Sequence, residues 1–353
     1  MTQATAQPEL TPPPVRDERV RRGSTLARLF ARPEMGALTG AIVIYIFFFA
    51  IAPAFRNAGS FSTVLYFSST YGLLATPIAL LMIGGEFDLS AGVAVTSAAL
   101  TAALFSYEFT LNIWVGVVVA LAVALAVGFL NGWIVVRTGI PSFLVTLGTF
   151  FMLQGLNLAL TQTITNQVAS PDISSLQGFS SAQKVFASSF TIGGVNFKIS
   201  IVYWIVFMLI ATWILLRTHI GNWIFSVGGS APSARAVGVP VAKMKIGLFM
   251  AVGLMAWFAG MNLLFQFNTI QSGQGVGNEF VYIIAAVVGG CLLTGGYGSA
   301  VGAAIGAFIF GMTNQGIVLA GWNPDWFTFF EGALLLGAIL LNTFIRRRAE
   351  AAK

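Results

Sequence analysis

Runs of about 20 apolar residues, the length a helix needs to cross a hydrocarbon layer of roughly 30 Å, recur from Gly36 almost to the C-terminus. That recurrence leaves few folds open. In lipid every backbone polar group must be satisfied within the fold, so only helices and closed barrels span a membrane. A barrel would show short, strictly alternating segments, and the sequence has none. The runs predict ten spans, at residues 36–52, 60–83, 89–106, 113–136, 141–161, 199–217, 245–265, 279–294, 300–320 and 326–345. The expected fold is all-α, a polytopic membrane helical bundle of about ten transmembrane helices in the lipid bilayer. With 57% of residues hydrophobic and 8% charged, there is more apolar surface than one water-soluble core could hide.

Charge orients the spans. With the N-terminus inside, the even-numbered connections fall inside as well. Six Lys and Arg precede residue 36, Arg137, Arg217, Arg235, Lys243 and Lys245 lie in inner connections, and four follow residue 345, fifteen in all. Arg56, Lys184 and Lys198 are the three outside. Lys and Arg are retained on the cytoplasmic side, so both termini are expected there. The same rule explains a pI near 9.7 without any nucleic acid partner. Residues 1–35 are polar and aperiodic and read as a disordered cytoplasmic tail, with "TLARLF" patterned for a short helix on the lipid surface. Residues 36–345 form the membrane domain and 346–353 a basic cytoplasmic tail. "AIAPAF" at the end of the first run is faintly like a signal-peptidase site, but the basic segment before it is too long for an ordinary signal peptide, and a retained span is expected. The outer segment 162–198 carries Phe179, Ala182, Phe186 and Phe190 at helical spacing and predicts one amphipathic helix on the outer face.

Several chemistries are excluded. Cys291 is the single cysteine and His219 the single histidine, so no disulfide, metal site or His-based triad is expected. There is no HExxH and no GxSxG, and no catalytic residue is assigned. No GxxxxGK[ST] occurs, so the chain cannot cradle nucleotide phosphates in a Walker loop.

The acidic pair in "LLMIGGEFDLSAGVAV", Leu80 to Val95, interrupts an otherwise apolar stretch. Two readings stand. Gly84 and Gly85 end one helix, and Asp88 with Ser90 caps the next in a tight cytoplasmic turn; or Glu86 and Asp88 lie at membrane depth, where such residues face a cavity or a partner.

Three motifs then resemble one family. "GGEFDLSAG" is similar to the GG-x-DLS-x-G signature of ribose-type sugar permeases of ABC transporters, with Glu86 and Phe87 in place of a single apolar residue. "FSVGGSAPSARAVGVPVAKMKI", Phe225 to Ile246, resembles that family's cytoplasmic docking loop. "IAAVVGGCLLTGGYGSAVGAAIGAFIFGMTNQGI", Ile284 to Ile317, resembles its glycine-rich run. The resemblance implies a permease that docks a separate cytoplasmic ABC ATPase, possibly tandem-domain, through the loop 218–245, with Gly228, Gly229, Ser233, Ala234, Arg235 and Gly238 carrying the docking. Ala231 stands where the loop usually has an acid, and Lys243 and Lys245 read as topology-setting cations. The resemblance also implies a second permease copy in a homodimer and an extracytoplasmic sugar-binding protein. No cofactor is expected on this chain, with ATP and Mg on the ATPase. Gly298, Gly302 and Gly306, four apart, read as one face for close packing within the subunit or across a dimer.

Candidates for a translocation path are Glu86, Asp88, Ser90 and the span amides Gln154, Asn157, Asn262, Gln266 and Asn314, with Trp257 nearby. Amides suit hydroxyl groups and aromatic faces suit sugar rings, while interhelical hydrogen bonding is their ordinary use. Glu279 reads as a helix cap at the outer start of the eighth span. The leading expectation is a subunit of an importer for a neutral monosaccharide or related polyol, moved by alternating access. The alternatives are a nucleoside or branched-chain amino acid permease, or an ion-coupled secondary carrier using Glu86, Asp88 or Glu331.

Overall fold

A computed structural model describes residues 33–351, with side chains over 34–340. The expected tail before residue 33, its surface helix and the basic side chains after 345 lie outside the described residues. Each expected span corresponds to a helix: α1 (Pro33–Ile51), α2 (Ala58–Ile83), α3 (Ala91–Phe105), α4 (Ile113–Thr138), α5 (Ser142–Thr165), α7 (Ile199–Arg217), α10 (Val241–Phe267), α11 (Asn278–Val288), α12 (Ala300–Leu319) and α13 (Trp326–Ala351). Between them stand α6 (Phe179–Phe186), an antiparallel hairpin of β1 (Ser189–Ile192) and β2 (Val195–Lys198), α8 (His219–Gly229) and α9 (Ala231–Ala236). Among the described residues eight helices are long and apolar enough to cross a membrane, α3 counted with the turn of π-helix that follows it; α11 and the apolar part of α13, Trp326–Leu340, are shorter.

Two corrections to the sequence reading have local causes. The eighth span, expected over 279–294, ends at Val288, because Gly289 caps α11 and Gly290 turns the chain with φ +93°, a conformation glycine adopts without a Cβ penalty. Its 11 residues rise only about 16 Å, half the hydrocarbon thickness. The outer amphipathic helix ends at Phe186, and Phe190 lies in β1, stacked on Phe197 at 5.9 Å. Gly193 and Gly194, both at positive φ, make the hairpin turn that a helix would forbid. Rather than lying on lipid, α6 plugs the bundle: Phe186 stacks on Phe265 at 5.6 Å and meets Trp257 edge-on at 5.8 Å.

The bundle has two distinguishable ends. At the hairpin end, the Ser62 hydroxyl at the start of α2 donates to the Asn196 carbonyl, and Asn112 bridges to Gln177. At the other, here the basic end, lie the connections bearing Arg137, Arg217, Arg235 and Lys243. Close packing along the bundle is made by small residues. Gly128 of α4 faces Phe249 and Met250 of α10, and Gly260 of α10 faces Val95 of α3. These levels place the start of α3 roughly 10–20 Å inside the basic end at 1.5 Å per helical residue. α2 and α12 pack over most of their length, with Gly311 of α12 directly on Ser68 of α2.

Candidate functional site

The chain leaves α2 at the basic end and climbs into the bundle through the acidic turn. Gly84 donates its N–H to the Leu80 carbonyl at 3.0 Å, and Gly85, at φ +83°, redirects the backbone. The next residues run extended beside the first turns of α5: Phe87 N–H donates to Ser142 Oγ and Leu89 N–H to Thr146 Oγ1, both at 3.0 Å. An exposed backbone amide at that depth would cost several kcal/mol, so the two hydroxyls are what let an unwound segment lie there.

Asp88 and Ser90 anchor a buried polar network. Asp88 Oδ1 accepts from Ser90 N–H at 2.8 Å and from Ser90 Oγ at 2.6 Å. Asn131 Nδ2 of α4 donates to Ser90 Oγ at 3.0 Å, and Thr149 Oγ1 of α5 donates to Asn131 Oδ1 at 2.6 Å. All four residues are buried. Ser90 occupies the N-cap position of α3, but its hydroxyl makes no cap bond; it is spent on Asp88, which corrects the expectation that it caps α3. The turn therefore lies at the basic end only at Gly84–Glu86, while Asp88 and Ser90 lie inside the bundle.

Glu86 forms an ion pair with Lys245 in the second turn of α10. This corrects the reading of Lys245 as a cation that only sets topology; Lys243 is exposed, as that reading expects. The docking segment meets the turn by backbone. Gly296 N–H donates to the Ile83 carbonyl at 2.8 Å. A Cβ at Gly228 would overlap that same carbonyl, one at Gly295 would stand 2.7 Å from Gly85 Cα, and one at Gly296 2.9 Å from Gly229 Cα. Three double-glycine pairs, far apart in the chain, thus converge on one point at the basic end. From there α9 projects: Pro232, Ser233, Arg235 and Gly238 are exposed, Ala234 is buried against Val227 and Val239, and Ser230 caps the helix by accepting from Ser233 N–H.

The remaining candidates are engaged singly, except that Trp257 and Asn262 both meet Phe186 of α6. Asn157 donates to the Val93 carbonyl at 3.4 Å, Trp257 Nε1 to the Val117 carbonyl at 2.9 Å, Asn262 to the Phe186 carbonyl, and Asn314 to Tyr71 Oη at 3.3 Å. Gln154 and Gln266 are half-buried. Gly302 and Gly306 pack on Gly289 and Ala285 within the chain, but Gly298 precedes α12 and faces Cys291 and Ile83, so the three glycines do not share one helical face. Glu279 does not stand at an outer end. It is buried, accepts from Gly277 N–H at 3.1 and 3.2 Å, and lies against Gly92, so α11 starts beside the start of α3, inside the bundle.

Sequence reasoning missed the cleft beside the turn. It holds ≈ 550 Å³ and is lined by Glu86, Phe87 and Leu89, by Ser142 and Phe143 of α5, and by Phe280 and Ile283 of α11. Its walls are aromatic and aliphatic with a hydroxyl and a carboxylate at the rim, a lining suited to a small hydroxylated molecule. The signal available beforehand was the Pro141–Ser142 start of α5, which carries the serine that receives Phe87.

A family model described as branched-chain amino acid transport system, permease component, matches residues 60–339. A probable ABC transporter permease protein, YphD of Escherichia coli, is 31% identical over 322 residues, covering 91% of this chain and 92% of its own. The fructose import permease protein FrcC of Rhizobium meliloti is 28% identical, covering 84% and 81%. The galactose/methyl galactoside import permease protein MglC of Haemophilus influenzae is 28% identical, covering 82% and 88%. No solved structure matches. A multi-pass helical bundle, a buried acidic turn tied to a projecting basic-end helix, and matches of this extent together mean that the chain belongs to the permease family of ABC transporters, a multi-pass protein of the prokaryotic cytoplasmic membrane.

Proposed function

We propose that the chain is the permease of a binding-protein-dependent importer for a neutral monosaccharide or related polyol, working as a homodimer. The observation that carries this reading is the backbone contact of Gly228 and Gly296 with Ile83 and Gly85, which joins the projecting helix α9 to the wall of the cleft. Relatives named for fructose and galactose import support a sugar over the branched-chain amino acid of the family's description. The excess of Lys and Arg makes the basic end cytoplasmic. There an ABC ATPase, holding ATP and Mg, would engage α9 through exposed Arg235 and Val237. An extracytoplasmic sugar-binding protein would dock at the hairpin end. Closing of the ATPases would displace α9, and the displacement would reach the acidic turn through the glycine junction, switching the cleft between two packings of one bundle.

Reconstitution into liposomes with its ATPase and binding protein tests this reading. ATP-dependent uptake of labelled fructose or galactose is expected; uptake of leucine instead, or uptake by this chain alone that collapses with a proton gradient, would overturn it.

A further inference from the structure

Glu86 and Lys245 form the only ion pair among the described residues. Their side chains are 8% and 21% exposed, so the pair is largely removed from water. It is also placed where two connections meet. Lys245 lies on α10, which leaves α9 through Gly238–Pro240, and Glu86 follows Gly85, whose backbone lies on Gly228 at the end of α8. The two helices flanking α9 therefore grip the acidic turn from two sides, α8 by backbone packing and α10 by charge. Glu86 also stands at the rim of the 550 Å³ cleft, next to Phe87 and Ser142.

The physics of such a pair points away from simple bracing. Taking both charges out of water costs about as much as their attraction returns, so a buried pair adds little stability over apolar side chains, and its best-attested use is in setting register or a switch. An attraction that falls with distance, in a site that water enters on opening, has two defined states. Phe87 and Leu89 each donate to one hydroxyl of α5, and Asp88 between them is tied through Ser90 to Asn131 of α4 and Thr149 of α5, so a movement of Glu86 is passed on to those helices.

We propose that Lys245 is a positioning residue for transport. Its ion pair with Glu86 holds the acidic turn against α10 and keeps the cleft narrow, and the pair parts in each cycle when α9 is displaced. This inference rests on the permease reading above.

The test uses the full chain with its ATPase and binding protein, in a Cys291→Ser background carrying Glu86→Cys and Lys245→Cys. A short bis-methanethiosulfonate reagent bridges the two thiols. Bridging yield is expected to fall at least fivefold when the complex is trapped with ATP and vanadate. A second variant separates switching from bracing: Lys245→Met is expected to lower uptake at least tenfold while ATP hydrolysis persists, and exchange of the charges, Glu86→Lys with Lys245→Glu, to restore uptake to within threefold of the wild type. Bridging yield unchanged by nucleotide trapping, alongside normal wild-type uptake, would overturn the proposal and leave the permease reading intact. A wild type without ATP-dependent uptake would overturn both.

Discussion

Asp88 shows how one residue sets both the position and the cost of this site. Its carboxylate orders Ser90, which in turn orders Asn131 and Thr149, so three helices are tied through one side chain. Asp88→Asn keeps an acceptor for Ser90, so its thermal midpoint in detergent should stay close to the wild type. Asp88→Ala leaves the hydroxyl and amide beside it unpaired and should cost about 1–3 kcal/mol, read as a lower midpoint and weaker uptake. An Asn variant as unstable as the Ala variant would remove the hydrogen bonds from Ser90 as the reason for Asp88. Gly228 and Gly229 make a sharper pair. A methyl at Gly228 overlaps the Ile83 carbonyl, while Gly229 has open space around it. Gly228→Ala should destabilise by at least about 1–3 kcal/mol, and Gly229→Ala should be close to neutral; equal effects in a melting assay would deny the glycine junction.

Helices α3 and α11 carry the main lesson at the scale of elements. Both begin inside the bundle with their first turns adjacent, where Gly92 meets Gly275 and Glu279. Hydropathy alone could not show this, because an 11-residue apolar helix followed by "GGCLL" has the same composition as a full span. What was legible was the punctuation at Gly84–Gly85, which ends α2 where the sequence places it, whereas Gly289–Gly290 ends α11 short of the expected span. The plug α6 was legible as a helix over Phe179–Phe186 but not as part of the core, since an amphipathic face looks the same whether it meets lipid or protein. Phe186, 3% exposed between Phe265 and Trp257, decides between them. Phe186→Ala should cost about 3–5 kcal/mol in thermal unfolding, whereas a helix resting on lipid would give a much smaller loss. The amides lay where hydropathy put them, on spans, yet Asn157, Asn262 and Asn314 bond helix to helix or to the plug, a distinction that depends on which side chain stands opposite.

At the scale of the whole molecule, orientation follows from charge. Arg235→Cys in the Cys291→Ser background should react with a membrane-impermeant maleimide only from the cytoplasmic side, and Lys184→Cys only from outside; the reverse pattern would place α9 beyond reach of any cytosolic ATPase. Read alone, the chain already showed a helical membrane bundle, the positions of most of its spans and the family its motifs resemble, and its charge gave the orientation to expect. Those properties are local, since apolar length, charge beside a span and a glycine's backbone freedom act within a few residues. The short α11, the meeting of Glu86 with Lys245 across 159 positions, the shared point of three glycine pairs, the place of Asp88 inside the bundle and the cleft beside it came from the packing. Those facts depend on how closely and at what level distant helices pack, which no stretch of sequence carries alone.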